Sequence, residues 1–177
     1  MNPIQEVKTR AEILHRHIQA GDHRALGRLR SLPSFRKTSY EALAAALVSV
    51  RRSHCLEVIA REFGFPNWPA AKKTLAGREC AEEFGAILCP KSCGAHFNLW
   101  YKTYAEAAEM RASNNGYLLA YRRQYVVVDR YYIESLGLDP ADPDWAAMGF
   151  DWARPADIAA RCRLYGKLLV RLPREAA

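Results

Sequence analysis

Cys89, Cys93 and His96 fall within one eight-residue run, Cys-Pro-Lys-Ser-Cys-Gly-Ala-His. Thiolates and a neutral imidazole are ligands that zinc prefers. The C-x3-C-x2-H spacing could supply three corners of a tetrahedron, with Cys80 or Cys162 as the fourth. The same residues could instead support nucleophilic catalysis, with Cys89 or Cys93 as the thiol and His96 as its base. One consideration stands against each. Zinc knuckles use C-x2-C in paired halves, and no second half exists here. Neighbours along a strand point to opposite faces, so closeness in sequence does not set a base beside a thiol. The expected state is thiols packed near a turn with His96 hydrogen-bonded and no cofactor, zinc being the alternative.

A second chemistry is electrostatic. The net charge is +7, and residues 1–78 hold 14 Lys and Arg against 6 Asp and Glu, so the whole excess lies in the first part. Such asymmetry points to an anionic partner, either nucleic acid or an acidic protein surface. A soluble helical surface that merely favours arginine is the bland reading. The candidate contacts are Arg51, Arg52, Lys72 and Lys73. Arg122 and Arg123 join them, between Tyr117, Tyr121 and Tyr125 and after Trp100 and Tyr101. Exposed aromatics beside arginines could stack bases or grip a peptide, although half of any sheet's side chains face a core.

Counting from Leu56, Ala60 is fifth and Gly64 ninth, the small residue and turn glycine of a helix-turn-helix. Lys73 then falls where such a motif buries an apolar residue, and Trp68-Pro69 is an unusual opening for a recognition helix. A plain packed helix pair is the preferred reading. Asp139, Asp142, Asp144 and Asp151 could hold a hard cation, but the glycine and terminal glutamate of a calcium loop are missing. Asp-Pro turns and an N-cap at Asp144 explain them more simply.

The elements that must position these residues follow from periodicity. Ile4, Val7, Ala11, Leu14 and Ile18 form one helical stripe, with Asp22 as the cap of the next helix. Thr38 with Glu41 predicts a capping box, and the helix it opens carries Leu43, Leu47 and Val50. Ser53 is expected to cap a helix that stops at Gly64, and Asn67 another in which Pro69 sits harmlessly in the first turn. Beyond Gly77, 14 of the 19 aromatic residues lie between Phe84 and Tyr165, which marks a change of architecture. There the pattern predicts a strand over 96–101, a helix over 103–112, and strands 117–121 and 125–129 joined by a three-residue loop. Helices near 131–136 and 155–170 complete it.

The sequence thus predicts an α+β protein. A basic all-α module of about five short helices (1–77) precedes a small aromatic-rich α+β unit with an antiparallel hairpin (78–172), and the tail 173–177 is frayed. Gly77 is the expected hinge. No apolar run approaches the ~20 residues that span a bilayer. Charged Glu6 and Lys8 near the start, together with an odd count of five cysteines, predict a reduced cytoplasmic protein with no membrane partner.

The run Ala20-Gly21-Asp22, Ala25-Leu26, Arg28-Leu29-Arg30 and Pro33 carries a resemblance, as does Leu56 through Phe63-Gly64-Phe65-Pro66-Asn67-Trp68-Pro69. Residues 14–76 resemble a short helical module that precedes ankyrin repeats in some bacterial proteins. They are also similar to the N-terminal helices of some glyoxalase-superfamily proteins. The resemblance implies a helical appendage and no enzymatic activity, since the chemistry of those families lies in parts this chain lacks. Together these readings predict a non-enzymatic binding or regulatory protein, with nucleic acid ahead of an acidic protein surface as partner. A small zinc or thiol enzyme built on Cys89, Cys93 and His96 is the further alternative, and the oligomeric state is left open.

Overall fold

The structure is a computed structural model that describes residues 2–77 and 83–172. Cys80 and the expected frayed tail lie outside the described residues. Among them are nine α-helices and one three-stranded antiparallel sheet, so the chain mixes a helical N-terminal part with a sheet-bearing one.

Helix α1 (Pro3–Gln19) buries Val7, Ala11, Leu14 and Ile18 along the expected stripe, and the Asn2 side chain caps it. Asp22 accepts from the Ala25 N–H to open α2 (His23–Leu29), as its type and position dictate. Helix α3 (Tyr40–Ala45) is capped by Ser39, one residue beyond the expected Thr38. It is also shorter than its pattern implies, because only Leu43 on it is buried and the exposed alanines give it nothing to pack against. A 3-10 turn over Leu47–Ser49 follows.

Helix α4 (Arg52–Glu62) starts before the expected cap at Ser53, with the Arg51 N–H donating to Nδ1 of His54 at 3.1 Å. Gly64 stops it at φ 79, where a side chain would also meet Ala86 at 2.4 Å. Asn67 caps α5 (Trp68–Leu75) through the Ala70 N–H at 2.8 Å.

In the second part, β1 (Asn98–Tyr101), α6 (Tyr104–Asn114), β2 (Tyr117–Tyr121) and β3 (Gln124–Val128) follow one another, and β3 inserts between the other two strands. Val126 pairs with both Trp100 and Leu119, which fixes the register and therefore the faces. Leu118, Ala120 and Val127 turn toward α6, where they pack with Ala107 and Phe84. Tyr117, Leu119, Val126 and Val128 turn toward the main core. That core also takes α7 (Arg130–Ser135), α8 (Pro143–Ala147) and α9 (Ile158–Arg171), with Trp152 tilted against Trp145 and edge to face with Tyr165 inside it.

The loop between β2 and β3 has two residues, Arg122 and Arg123, where three were expected. Arg122 adopts φ 51, a conformation that two-residue hairpins usually give to Gly or Asn. Asp142, not Asp144, caps α8, because Pro143 occupies the first helical position.

The two parts share their core. Buried residues from Val7 through Leu75 and from Ile87 through Leu169 form one cluster, and α9 packs on α1. Gly77, at φ 69, lies against Ile158 of α9.

Candidate functional site

The basic residues divide by position. Arg52 pairs with Glu12 in the middle of α1 at 3.4 Å, and exposed Arg51 precedes it. Leu75 and Ala76 at the end of α5 lie beside Asn2, Pro3 and Ile4 at the start of α1. Roughly 12 Å of helix separates the two places. Among the described residues no contact joins Arg51 or Arg52 to Lys72 or Lys73.

The hairpin arginines meet α5 instead, through a segment with no recognisable sequence signal. The Thr74 hydroxyl donates to the Glu83 carbonyl at 3.0 Å, and Arg123 pairs with the Glu83 carboxylate at 3.6 Å. The Arg122 N–H donates to the Gly85 carbonyl at 2.7 Å, and the Arg122 carbonyl accepts from Phe84 at 3.0 Å. Ala86 in turn donates to the Phe63 carbonyl at 2.8 Å, at the end of α4. Residues 83–86 thus clamp the hairpin tip against the α4–α5 corner. Lys72, Lys73, Arg122 and Arg123 are all exposed on the elements this seam joins. Lys72, Lys73 and Arg122 carry no ion pair among the described residues. Helix α5 buries Ala71, Thr74 and Leu75, leaves Lys73 exposed, and packs on α4.

Beside the tip, a cleft of about 430 Å³ is lined by Cys89, Lys91, Asn98, Trp100, Tyr121 and Gln124, among others. Trp100 is 47% exposed, unusual for the largest apolar side chain on a strand. Its indole N–H donates to the Asn98 side chain at 2.9 Å, which fixes the ring in the open. Tyr121 meets the indole at 87° with centroids 5.5 Å apart, and the Arg122 guanidinium lies 5.4 Å from the Tyr121 ring. Sequence reading named Trp100, Tyr121 and Arg122 but missed Lys91, Gln124 and Asn98, which carry no motif.

The Cys-His loop is arranged differently from either chemistry first considered. Cys93 is fully buried, and burial raises its thiol pKa; burial pushes Cys89 up to about 11. Both effects favour the protonated thiol over the nucleophilic thiolate. The ring of His96 is engaged elsewhere, its Nε2 lying 2.6 Å from the Ser135 hydroxyl. Cys162 packs at the far side of α5, its Sγ 3.6 Å from the Leu75 carbonyl. Among the described residues no three His, Cys, Asp or Glu side chains gather as a metal site needs.

The acidic loop is likewise occupied by internal partners. Asp144 takes Arg163 at 2.7 Å and Lys167 at 3.0 Å, and Asp142 takes Lys167 at 2.5 Å. The Arg163 hydrogen bond is the main cause that holds the Asp144 carboxyl below the usual range. Asp139 accepts from the Ala141 N–H at 2.8 Å, and Asp151 from the Tyr104 hydroxyl at 2.6 Å.

No helix among the described residues is long and apolar enough to cross a membrane. The chain matches no protein-family model, no curated protein and no solved structure.

Proposed function

We propose that this is a non-enzymatic nucleic-acid-binding protein whose contact surface is the seam where α5 meets the β2–β3 tip. The observation that carries the reading is the tip itself. A two-residue turn presents two consecutive arginines, holds Arg122 at φ 51, and is tied by backbone hydrogen bonds to Phe84 and Gly85, whose neighbour Glu83 accepts from Thr74 of the helix bearing Lys72 and Lys73. Strained backbone is retained where the surrounding structure over-determines it, and such positions cluster at functional sites. Lys72, Lys73 and Arg122 have no carboxylate partner among the described residues, Arg123 is paired with Glu83, and a preorganised backbone limits the entropy lost when such cations meet phosphate.

The experiment is binding of labelled duplex DNA, single-stranded DNA and RNA to the full chain across a salt series. Expected is micromolar or tighter binding that weakens steeply with salt. Combined Lys72→Glu and Lys73→Glu should weaken it by tenfold or more, as should combined Arg122→Glu and Arg123→Glu. Absence of binding at low salt overturns the nucleic-acid reading and leaves an acidic protein as the partner of the same surface.

A further inference from the structure

The cleft beside the hairpin tip has the chemistry to take a single nucleotide unit with its base unpaired. We infer that Trp100 is a stacking platform for a nucleobase, that Gln124 reads the base edge, and that Lys91 meets the phosphate. The inference rests on the nucleic-acid reading above and narrows it to single-stranded strands or free nucleotides.

Five observations carry it. Trp100 is half exposed, yet its indole is pinned by Asn98, so a ring stacking on it orders little that is not already ordered. The Tyr121 ring, set at 87° to the indole and backed by Arg122, closes one side of the cleft as a rigid aromatic wall. The Gln124 amide, which offers both donors and an acceptor, has no hydrogen-bond or ionic partner among the described residues, nor has the Lys91 ammonium. Among the described residues no carboxylate lines the cleft, so an anion entering it meets the Lys91 charge and no opposing one from them. Its volume, about 430 Å³, lies in the range of small-ligand sites, ~300–1,000 Å³.

The position of the cleft supplies the link to the basic seam. Tyr121 ends β2 immediately before Arg122, and Gln124 begins β3 immediately after Arg123. A strand that crosses the arginines of the tip therefore passes the mouth of the cleft. Base stacking on aromatic side chains is tolerant of sequence, so a preference for unpaired over paired bases is expected, with only modest selectivity among bases.

The test uses the full chain with three probes: adenosine 5′-monophosphate, a ten-nucleotide oligothymidine, and a duplex of matched length. Quenching of tryptophan fluorescence reads the parent protein, since Trp145 and Trp152 are fully buried and Trp100 is the indole most open to a stacking base; anisotropy of dye-labelled probes reads the affinity of every variant, including those without that indole. Expected are quenching by the single-stranded probes, a loss of affinity of about tenfold or more in Trp100→Ala, and its recovery in Trp100→Phe. Lys91→Ala should weaken both single-stranded probes and leave the duplex unchanged. Binding of the oligomer at least tenfold tighter than the mononucleotide marks a strand as the ligand, and equal binding marks a free nucleotide. Duplex binding that Lys72→Glu abolishes, combined with single-strand binding indifferent to Trp100→Ala, overturns the inference and keeps the reading it rests on. Absence of binding by all three probes overturns both.

Discussion

The guanidinium of Arg10, in the middle of α1, donates to the backbone carbonyl of Leu169 near the end of α9 and to that of Leu172 at 2.7 Å. The same side chain pairs with Glu6 at 3.0 Å, and both residues are almost wholly buried. A charge withdrawn from water is stable only while its partners stay, and here the partners join the first and last helices of the described chain. Arg10→Met should therefore destabilise the fold by about 3–5 kcal/mol, because it removes a buried cation from beside Glu6 and two acceptors. Urea unfolding of the two proteins measures this. Replacing Glu6 and Arg10 together by methionine should cost distinctly less than Arg10→Met alone. A single variant within about 0.5 kcal/mol of the parent, a typical surface effect, would show that the clamp does not hold the halves together.

Gly77 gives a second test of the shared core. A Cβ placed there lies 2.3 Å from Cγ2 of Ile158, at a φ of 69 that side chains rarely adopt. Gly77→Ala is expected to destabilise by about 1–3 kcal/mol through both effects. Ile158→Ala removes the closest contact but neither the approach to Cys162 Sγ at 3.0 Å nor the backbone strain, and Ile158 is 44% exposed, so its own truncation is cheap. The double variant should regain the steric share due to Ile158, which a double-mutant cycle of urea midpoints reads directly. If Gly77 were a free hinge between independent units, Gly77→Ala would be silent.

Local signals explain what was legible in the sequence. Asp22 and Asn67 were readable as caps because a cap is a short-range bond between a side chain and an N–H two or three residues on. Ser39 displaced Thr38 because both residues can cap and the choice depends on how α3 meets α2. The strands were readable from Tyr117–Tyr121 and the valines of β3, whereas the loop length was not, since nothing in Arg-Arg-Gln signals a left-handed residue. The clamp at 83–86 and the α1–α9 contact join residues far apart in the chain, which periodicity does not report. Hence Arg122 and Arg123 could be named as candidates while Lys91, Asn98 and Gln124, their neighbours in space, could not.

The thiols make the alkaline limb of stability predictable. Burial pushes both Cys55 and Cys89 from 9.0 up to about 11, so the folded protein keeps protons that the unfolded chain releases. Their contribution is fully present below pH 9 and is lost as pH rises through about 11. The unfolding free energy should fall over that window, and the fall should be shallower in Cys89→Ala. Alkylation of Cys89 by iodoacetamide at neutral pH should be at least tenfold slower in the folded protein than in urea. Fast alkylation of the folded protein would restore the thiol-nucleophile reading that the burial of Cys89 opposes.

Arg122 places stability and binding in opposition at one residue. Its φ of 51 suits glycine better than arginine, and its guanidinium over Tyr121 recovers part of that difference. Its backbone bonds to Phe84 and Gly85 do not depend on the side chain. Arg122→Gly should therefore leave the tip docked and raise the unfolding free energy by up to about 1 kcal/mol. The same change removes one cation from the proposed phosphate-binding surface, so the slope of log affinity against log salt should fall by about one unit. Arg122→Asn, which also tolerates the left-handed region, should behave alike. Greater stability with unchanged salt dependence would mean that Arg122 does not touch phosphate. Lower stability would mean that its contact with Tyr121 outweighs the backbone strain, and the turn would then need no functional explanation.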